Sequence, residues 1–148
     1  MKNMKKKTTD ELNHEIKAAT DVEDYIEENK GSFITTELSA HLNALLSQKR
    51  LKIADVIRGS LLGRSYVYQI FAGGKKPSRD KLIALAFGLR LSDEETQKML
   101  RLSGNRELYV RDERDALILF SIQRKKNIIE TNEVLIDHGF NVLDTGRE

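Results

Sequence analysis

Residues 63–78 read Gly-Arg-Ser-Tyr-Val-Tyr-Gln-Ile-Phe-Ala-Gly-Gly-Lys-Lys-Pro-Ser, and the rest of the chain is best read outward from them. Val67, Ile70 and Phe71 are spaced by three, four and one residues, which places them on one side of a helix. Arg64, Ser65, Tyr66, Tyr68 and Gln69 fall outside that apolar stripe. Tyr66 and Tyr68 are two apart and cannot both face one core, so at least one is expected at the surface or at an edge. Gly73-Gly74 ends the helix, because glycine takes the left-handed conformation of a helix C-terminus without a steric penalty. Pro77 and Ser78 then open another helix, Ser78 as its N-cap.

Upstream, Leu38, Leu42, Leu45 and Leu46 recur at helical spacing and predict a helix from near Thr35 to near Arg50. Ile53, Val56 and Ile57 mark a second. Residues 59–63 read as a turn. Downstream of the quoted stretch, Leu82, Leu85, Ala86 and Leu89 point inward from a fourth helix. Ser92 with Glu95 forms a capping box, in which the hydroxyl accepts from one backbone N–H and the carboxylate from another. That opens a fifth helix, which stops at Gly104. Thr8 with Glu11 is a further capping box, predicting a helix to about Ala19; a short helix is predicted over residues 21–29, and Lys30-Gly31-Ser32 breaks it.

Past Gly104 the chain nearly repeats itself 35 residues on, without a gap. Arg79-Asp80-x-Leu82-Ile83 corresponds to Arg114-Asp115-x-Leu117-Ile118. Glu95-Thr96, Leu100 and Gly104 correspond to Glu130-Thr131, Leu135 and Gly139, and Ser92 falls on Asn127. Eight identities in 26 positions exceed the roughly two that average composition would give. The expectation is a duplicated helical hairpin, residues 78–104 and 112–139, the second stacked on the first.

Composition narrows the function classes. A chain of 148 residues can bury a core without cross-links, and it has no cysteine for a disulfide, a thiolate nucleophile or a zinc site. Leu, Ile, Ala, Glu and Lys dominate, which favours helices; the expected fold is all-α. No apolar run approaches a membrane span, and the basic start is followed by Thr8, Thr9, Asp10 and Glu11, unlike a signal peptide. A cytoplasmic location is therefore expected. His14, His41 and His138 are far apart, no glycine loop has phosphate-cradling spacing, and the carboxylates cluster at helix starts. Neither an enzyme, a cofactor nor a metal is expected.

Net charge is only +2, but its distribution is uneven. Between Gln48 and Lys81, Lys49, Arg50, Lys52, Arg58, Arg64, Lys75, Lys76, Arg79 and Lys81 face only Asp55 and Asp80, a balance of +7. Residues 8–34 carry −6 and the stretch from Leu91 onward −3. One cationic block between acidic flanks is an electrostatic footprint for a polyanion.

Together these residues carry a resemblance. The run from Ser65 to Gly73, then Pro77-Ser78 and the Leu82, Leu85, Ala86, Leu89 helix, resembles the phage-repressor-type helix-turn-helix family, the xenobiotic-response-element class of bacterial and phage regulators. The resemblance is strong over residues 42–89. It implies a five-helix domain, the third helix in the major groove of double-stranded DNA, and binding as a homodimer. DNA-contacting candidates are Arg64, Ser65, Tyr66, Tyr68 and Gln69 on that helix, with Lys75, Lys76 and Lys52 for the phosphate backbone. Three positions depart from the family pattern. Ile53 stands where glutamine is common, Ile57 where a small residue is common, and Leu61 where glycine is common, so the turn is expected to be built through Gly59 or Gly63.

The expected organisation is an acidic N-terminal appendage with a basic tail (1–34), a helix-turn-helix domain (35–104) and a helical hairpin packed on it (105–148). The expected function is a sequence-specific, repressor-like transcriptional regulator. The alternative is a protein-interaction adaptor on the same fold, with a protein partner at the C-terminal hairpin and its apolar run Leu117-Ile-Leu-Phe-Ser-Ile122.

Overall fold

A computed structural model describes residues 8–11, 14 and 34–146. Every regular element among them is a helix, and none is long and apolar enough to cross a membrane. In chain order they are α1 (Ile34–Gln48), α2 (Ile53–Ser60), α3 (Arg64–Phe71), α4 (Arg79–Gly88), α5 (Asp93–Leu102), α6 (Glu113–Gln123) and α7 (Ile128–Asp137). At the N-terminus the Thr8 hydroxyl accepts from the Glu11 N–H at 3.1 Å, one half of the expected capping box. The remainder of that helix, and the one expected over 21–29, fall outside the described residues.

α4 is the centre of the molecule. Lys81, Leu82, Ile83, Ala84, Leu85, Ala86 and Gly88 are all buried, so this helix is enclosed on every side rather than amphipathic. α2 and α5 both pack on it. α1 lies against α3 and α5, contributing Leu38, Leu42 and Leu45, and α6 joins through α5 with Ile118, Leu119 and Ile122. Most of the apolar run 117–122 is therefore core. Its exception is Phe120, 41% exposed, with the Arg124 guanidinium 3.7 Å from its ring centre.

Helix ends obey local chemistry. Ser92 and Glu95 close a capping box at α5, with bonds of 3.1 and 2.9 Å. Asn127 and Glu130 close the equivalent box at α7, at 2.8 and 2.9 Å. α1, α3, α4, α5, α6 and α7 all end in paired backbone bonds that reach back into the last turn. The left-handed residue is glycine at Gly73, Gly104 and Gly139, but a cation at Arg50, Arg90 and Lys125. A positive side chain there faces the negative end of the helix dipole, which offsets part of the steric cost. His138 is the C-cap of α7, its Nδ1 2.8 Å from the Val134 carbonyl oxygen.

The second hairpin repeats several bonds of the first, 35 residues later. Thr96 and Thr131 each donate their hydroxyl to the carbonyl four residues back. Arg79 pairs with Asp115 (3.2 and 2.9 Å), and Arg114 pairs with Asp80 (3.1 and 3.0 Å). The exchange is reciprocal: the arginine of each hairpin grips the aspartate of the other. Such i-to-j, j-to-i pairing is what a two-fold relation produces. Each arginine also donates to two carbonyls of the segment that follows its own hairpin, Arg106 and Glu107 in one case, Asn141 and Val142 in the other.

Candidate functional site

α3 is held by three anchors. Val67, Ile70 and Phe71 are buried along one side. From α1, the Asn43 side-chain amide donates to the Phe71 carbonyl at 2.8 Å and fixes the helix's last turn. Beyond it, Gly73 has a positive φ of 84° and lies so close to α1 that a Cβ there would be 3.2 Å from the Ser39 hydroxyl oxygen. Pro77 is buried as well, so Lys75 and Lys76 project to solvent from a segment pinned at both ends.

The free side of α3 is continuous. At about 100° per residue, Arg64, Ser65, Tyr68, Gln69 and Ala72 span one arc of about 140°. All five are exposed, Tyr68 by half. Ala72, in the middle of the arc, leaves room between the longer side chains. Tyr66 is different: it is half-buried against the core, beneath the Lys81 ammonium group, which lies 5.1 Å from its ring centre. Of the two tyrosines, Tyr68 is thus the one presented outward. Lys52 is exposed at the N-cap of α2, on a different element from the rest.

The turn between α2 and α3 is not built as the sequence suggested. Gly59 lies inside α2 and contacts α4, while Gly63 is the N-cap of α3 with an ordinary φ of −65°. Leu61 itself takes the left-handed conformation, φ 62° and ψ 14°, and its N–H bonds back to the Ile57 carbonyl. It is 44% exposed, so the core gains little from its side chain. Leu61→Gly is therefore expected to stabilise the chain by about 1 kcal/mol, the steric relief exceeding the added freedom of the unfolded state. The shift in the thermal unfolding midpoint measures this, and a fall in the midpoint would contradict it.

The cationic block is smaller in space than in sequence. Lys49 pairs with Glu95 at 2.9 Å, Arg58 with Asp55, and Arg79 with Asp115. Lys81 is buried. For Lys49 and Arg79 the sequence window could not reveal this, because Glu95 and Asp115 lie outside it. Arg50, Lys52, Arg64, Lys75 and Lys76 remain exposed and make no ion pair with a described residue. Asp55 is held below the usual carboxylate range chiefly by the Lys52 backbone N–H it accepts, and Arg58 adds to this.

A groove of about 870 Å³ opens elsewhere, between α2, the start of α5 and the α6–α7 turn; Arg58, Arg90, Leu91, Lys125 and Asn127 are among its walls and no residue of α3 is. The three histidines do not meet: His41 is on α1, His138 caps α7 and His14 is on the N-terminal segment. Among the described residues no three His, Asp or Glu side chains cluster as metal ligands would. The chain matches no protein-family model, no curated protein and no solved structure.

Proposed function

We propose that the chain is a sequence-specific double-stranded DNA-binding regulator, repressor-like and bacterial or phage in origin, acting as a homodimer. In this reading α2 and α3 are a helix-turn-helix unit within a five-helix domain, and the second hairpin is a duplicate that extends it. The observation that carries the reading is the exposed arc of Arg64, Ser65, Tyr68 and Gln69 on a helix anchored at both its apolar side and its C-terminus. A rigid helix with a free polar side fits a major groove, where arginine pairs with guanine and glutamine with adenine. Lys52, Lys75 and Lys76 supply phosphate contacts, which set register.

Gel-shift titrations test this. With about four phosphates neutralised per subunit, the logarithm of affinity falls with the logarithm of salt at a slope of about −3.6 per subunit. Gln69→Ala is expected to cost about 1–3 kcal/mol at one base position and relax preference there, whereas Lys75→Ala weakens all duplexes alike. A flat salt dependence would remove the proposal. The second reading, a protein-interaction adaptor, is favoured by Ile129 and Ile136 on α7, 54% and 61% exposed. Light scattering that finds a strict monomer, together with no DNA affinity, selects it instead.

A further inference from the structure

We propose that residues 103–112, which join α5 to α6, form a second DNA-backbone contact through Arg106, Tyr109 and Arg111; this rests on the reading of α3 as the groove-entering helix. Position comes first. Arg79 is three residues beyond Lys76, and its guanidinium donates to the carbonyls of Arg106 (3.0 Å) and Glu107 (2.9 Å). The Tyr109 N–H donates to the same Asp115 carboxylate that Arg79 grips, at 3.0 Å. The segment is thereby clamped against the start of α4, the helix that the chain enters directly after Lys75 and Lys76.

It is also stiff. Leu108 is buried, and the Gln97 side-chain amide holds its N–H (2.7 Å) and its carbonyl (2.9 Å) together. From that fixed base Tyr109 and Val110 stand 55% and 71% exposed. Arg106 and Arg111 are exposed and make no ion pair with a described residue. Of the acidic neighbours, Glu107 pairs with Arg101 at 3.3 Å, Asp112 caps α6, and Glu113 is exposed in the first turn of α6.

The chain contains its own control. Thirty-five residues on, the same backbone frame recurs around Leu143, with Arg114 bonded to the carbonyls of Asn141 and Val142, Asn132 holding the Leu143 N–H, and Asp80 accepting from the Asp144 N–H. In that copy the counterparts of Arg106, Tyr109, Val110 and Arg111 are Asn141, Asp144, Thr145 and Gly146. The frame therefore stands without arginine, tyrosine or valine at these positions. Both copies bond to the first turn of α4, and only the first, which Arg79 holds, carries them. Arginine and the tyrosine hydroxyl are donors suited to phosphate oxygens, and each phosphate neutralised adds to the salt dependence of binding.

The test uses the full chain and a duplex that it recovers from a random-sequence pool. Wild type, Gln69→Ala and the double variant Arg106→Ala/Arg111→Ala are titrated against this duplex at several salt concentrations. The double variant is expected to bind more weakly, with a slope shallower by about 1.8 per subunit for two lost phosphates in each, and to recover the same sequence from the pool. Lysine at both positions in place of arginine is expected to keep the slope, and thermal melting verifies that the fold is unchanged. If the double variant keeps the full slope while wild type binds, this proposal fails and the reading of α3 stands. If no duplex is recovered, or Gln69→Ala keeps full sequence preference, the reading of α3 fails and this proposal falls with it.

Discussion

Asp115→Ala is expected to destabilise the chain by about 4 kcal/mol, because it removes a fully buried carboxylate and leaves a mostly buried guanidinium without its counter-charge. The Asp115 side chain is 2% exposed and that of Arg79 is 17% exposed. The carboxylate accepts both guanidinium bonds and the Tyr109 N–H. Removing it leaves Arg79 only the Arg106 and Glu107 carbonyls. The reciprocal pair supplies the comparison within the same molecule. Asp80 and Arg114 are 24% and 21% exposed, so water replaces part of what is lost and Asp80→Ala is expected to cost about 1–2 kcal/mol. Urea unfolding of the two variants measures the difference, and equal costs would contradict the dependence on burial. Acid adds a second dimension. Burial pushes the Asp80 carboxyl up, but hydrogen bonds from Arg114 and the Asp144 N–H outweigh it and hold the group below its ordinary value. The stability this contributes is present above the unfolded carboxylate pKa of about 3.9 and is lost as pH falls through the lowered folded value.

Gly88→Ala is expected to cost about 3 kcal/mol, at the upper end for overpacking, because the obstacle is backbone. A Cβ at Gly88 would lie 2.6 Å from the Val56 carbonyl oxygen and 3.2 Å from the Val56 Cα. No side-chain rotation relieves that; α2 must move. A Cβ at Gly59 would meet the Gly88 Cα at 2.9 Å, so the two helices cross through a pair of glycines. Because α2 packs on α3 as well as on α4, the displacement reaches the exposed arc. Gly88→Ala should therefore weaken DNA binding along with stability, if the proposed function holds. Gly63→Ala is the control. Nothing lies within 4 Å of a Cβ there and φ is −65°, so stability is expected to change by less than about 0.5 kcal/mol. Thermal unfolding of both variants decides it. A Gly88→Ala protein as stable as the parent would mean that the α2–α4 crossing is looser than described.

Both predictions concern residues whose importance the sequence hid. Gly88 reads as an ordinary glycine near the end of a helix, and its counterpart 35 residues on is Gln123, whose side chain instead donates to Asp93. The difference is that α2 crosses α4 at Gly88. Asp115 was visible as half of a repeated Arg-Asp pair, but nothing in the order of residues says that each aspartate serves the other hairpin's arginine. Leu61 is a third example. Glycine was the conformationally easy choice at that turn, and the chain instead accepts a left-handed leucine.

What neighbouring residues dictate was readable without coordinates: the apolar stripe of α3, the box at Ser92, the glycine stops, the start at Pro77-Ser78, and the 35-residue period. Those features depend on interactions within one helical turn or on direct self-comparison, and both are present in the linear chain. The reduction of nine clustered cations to five that are exposed and make no ion pair with a described residue, the crossing at Gly59 and Gly88, and the reciprocal Arg-Asp clamp came from folding alone. Apart from the local Arg58–Asp55 pair, they join groups about 30 or more residues apart, and that proximity is set by how the helices pack rather than by the order in which they are strung.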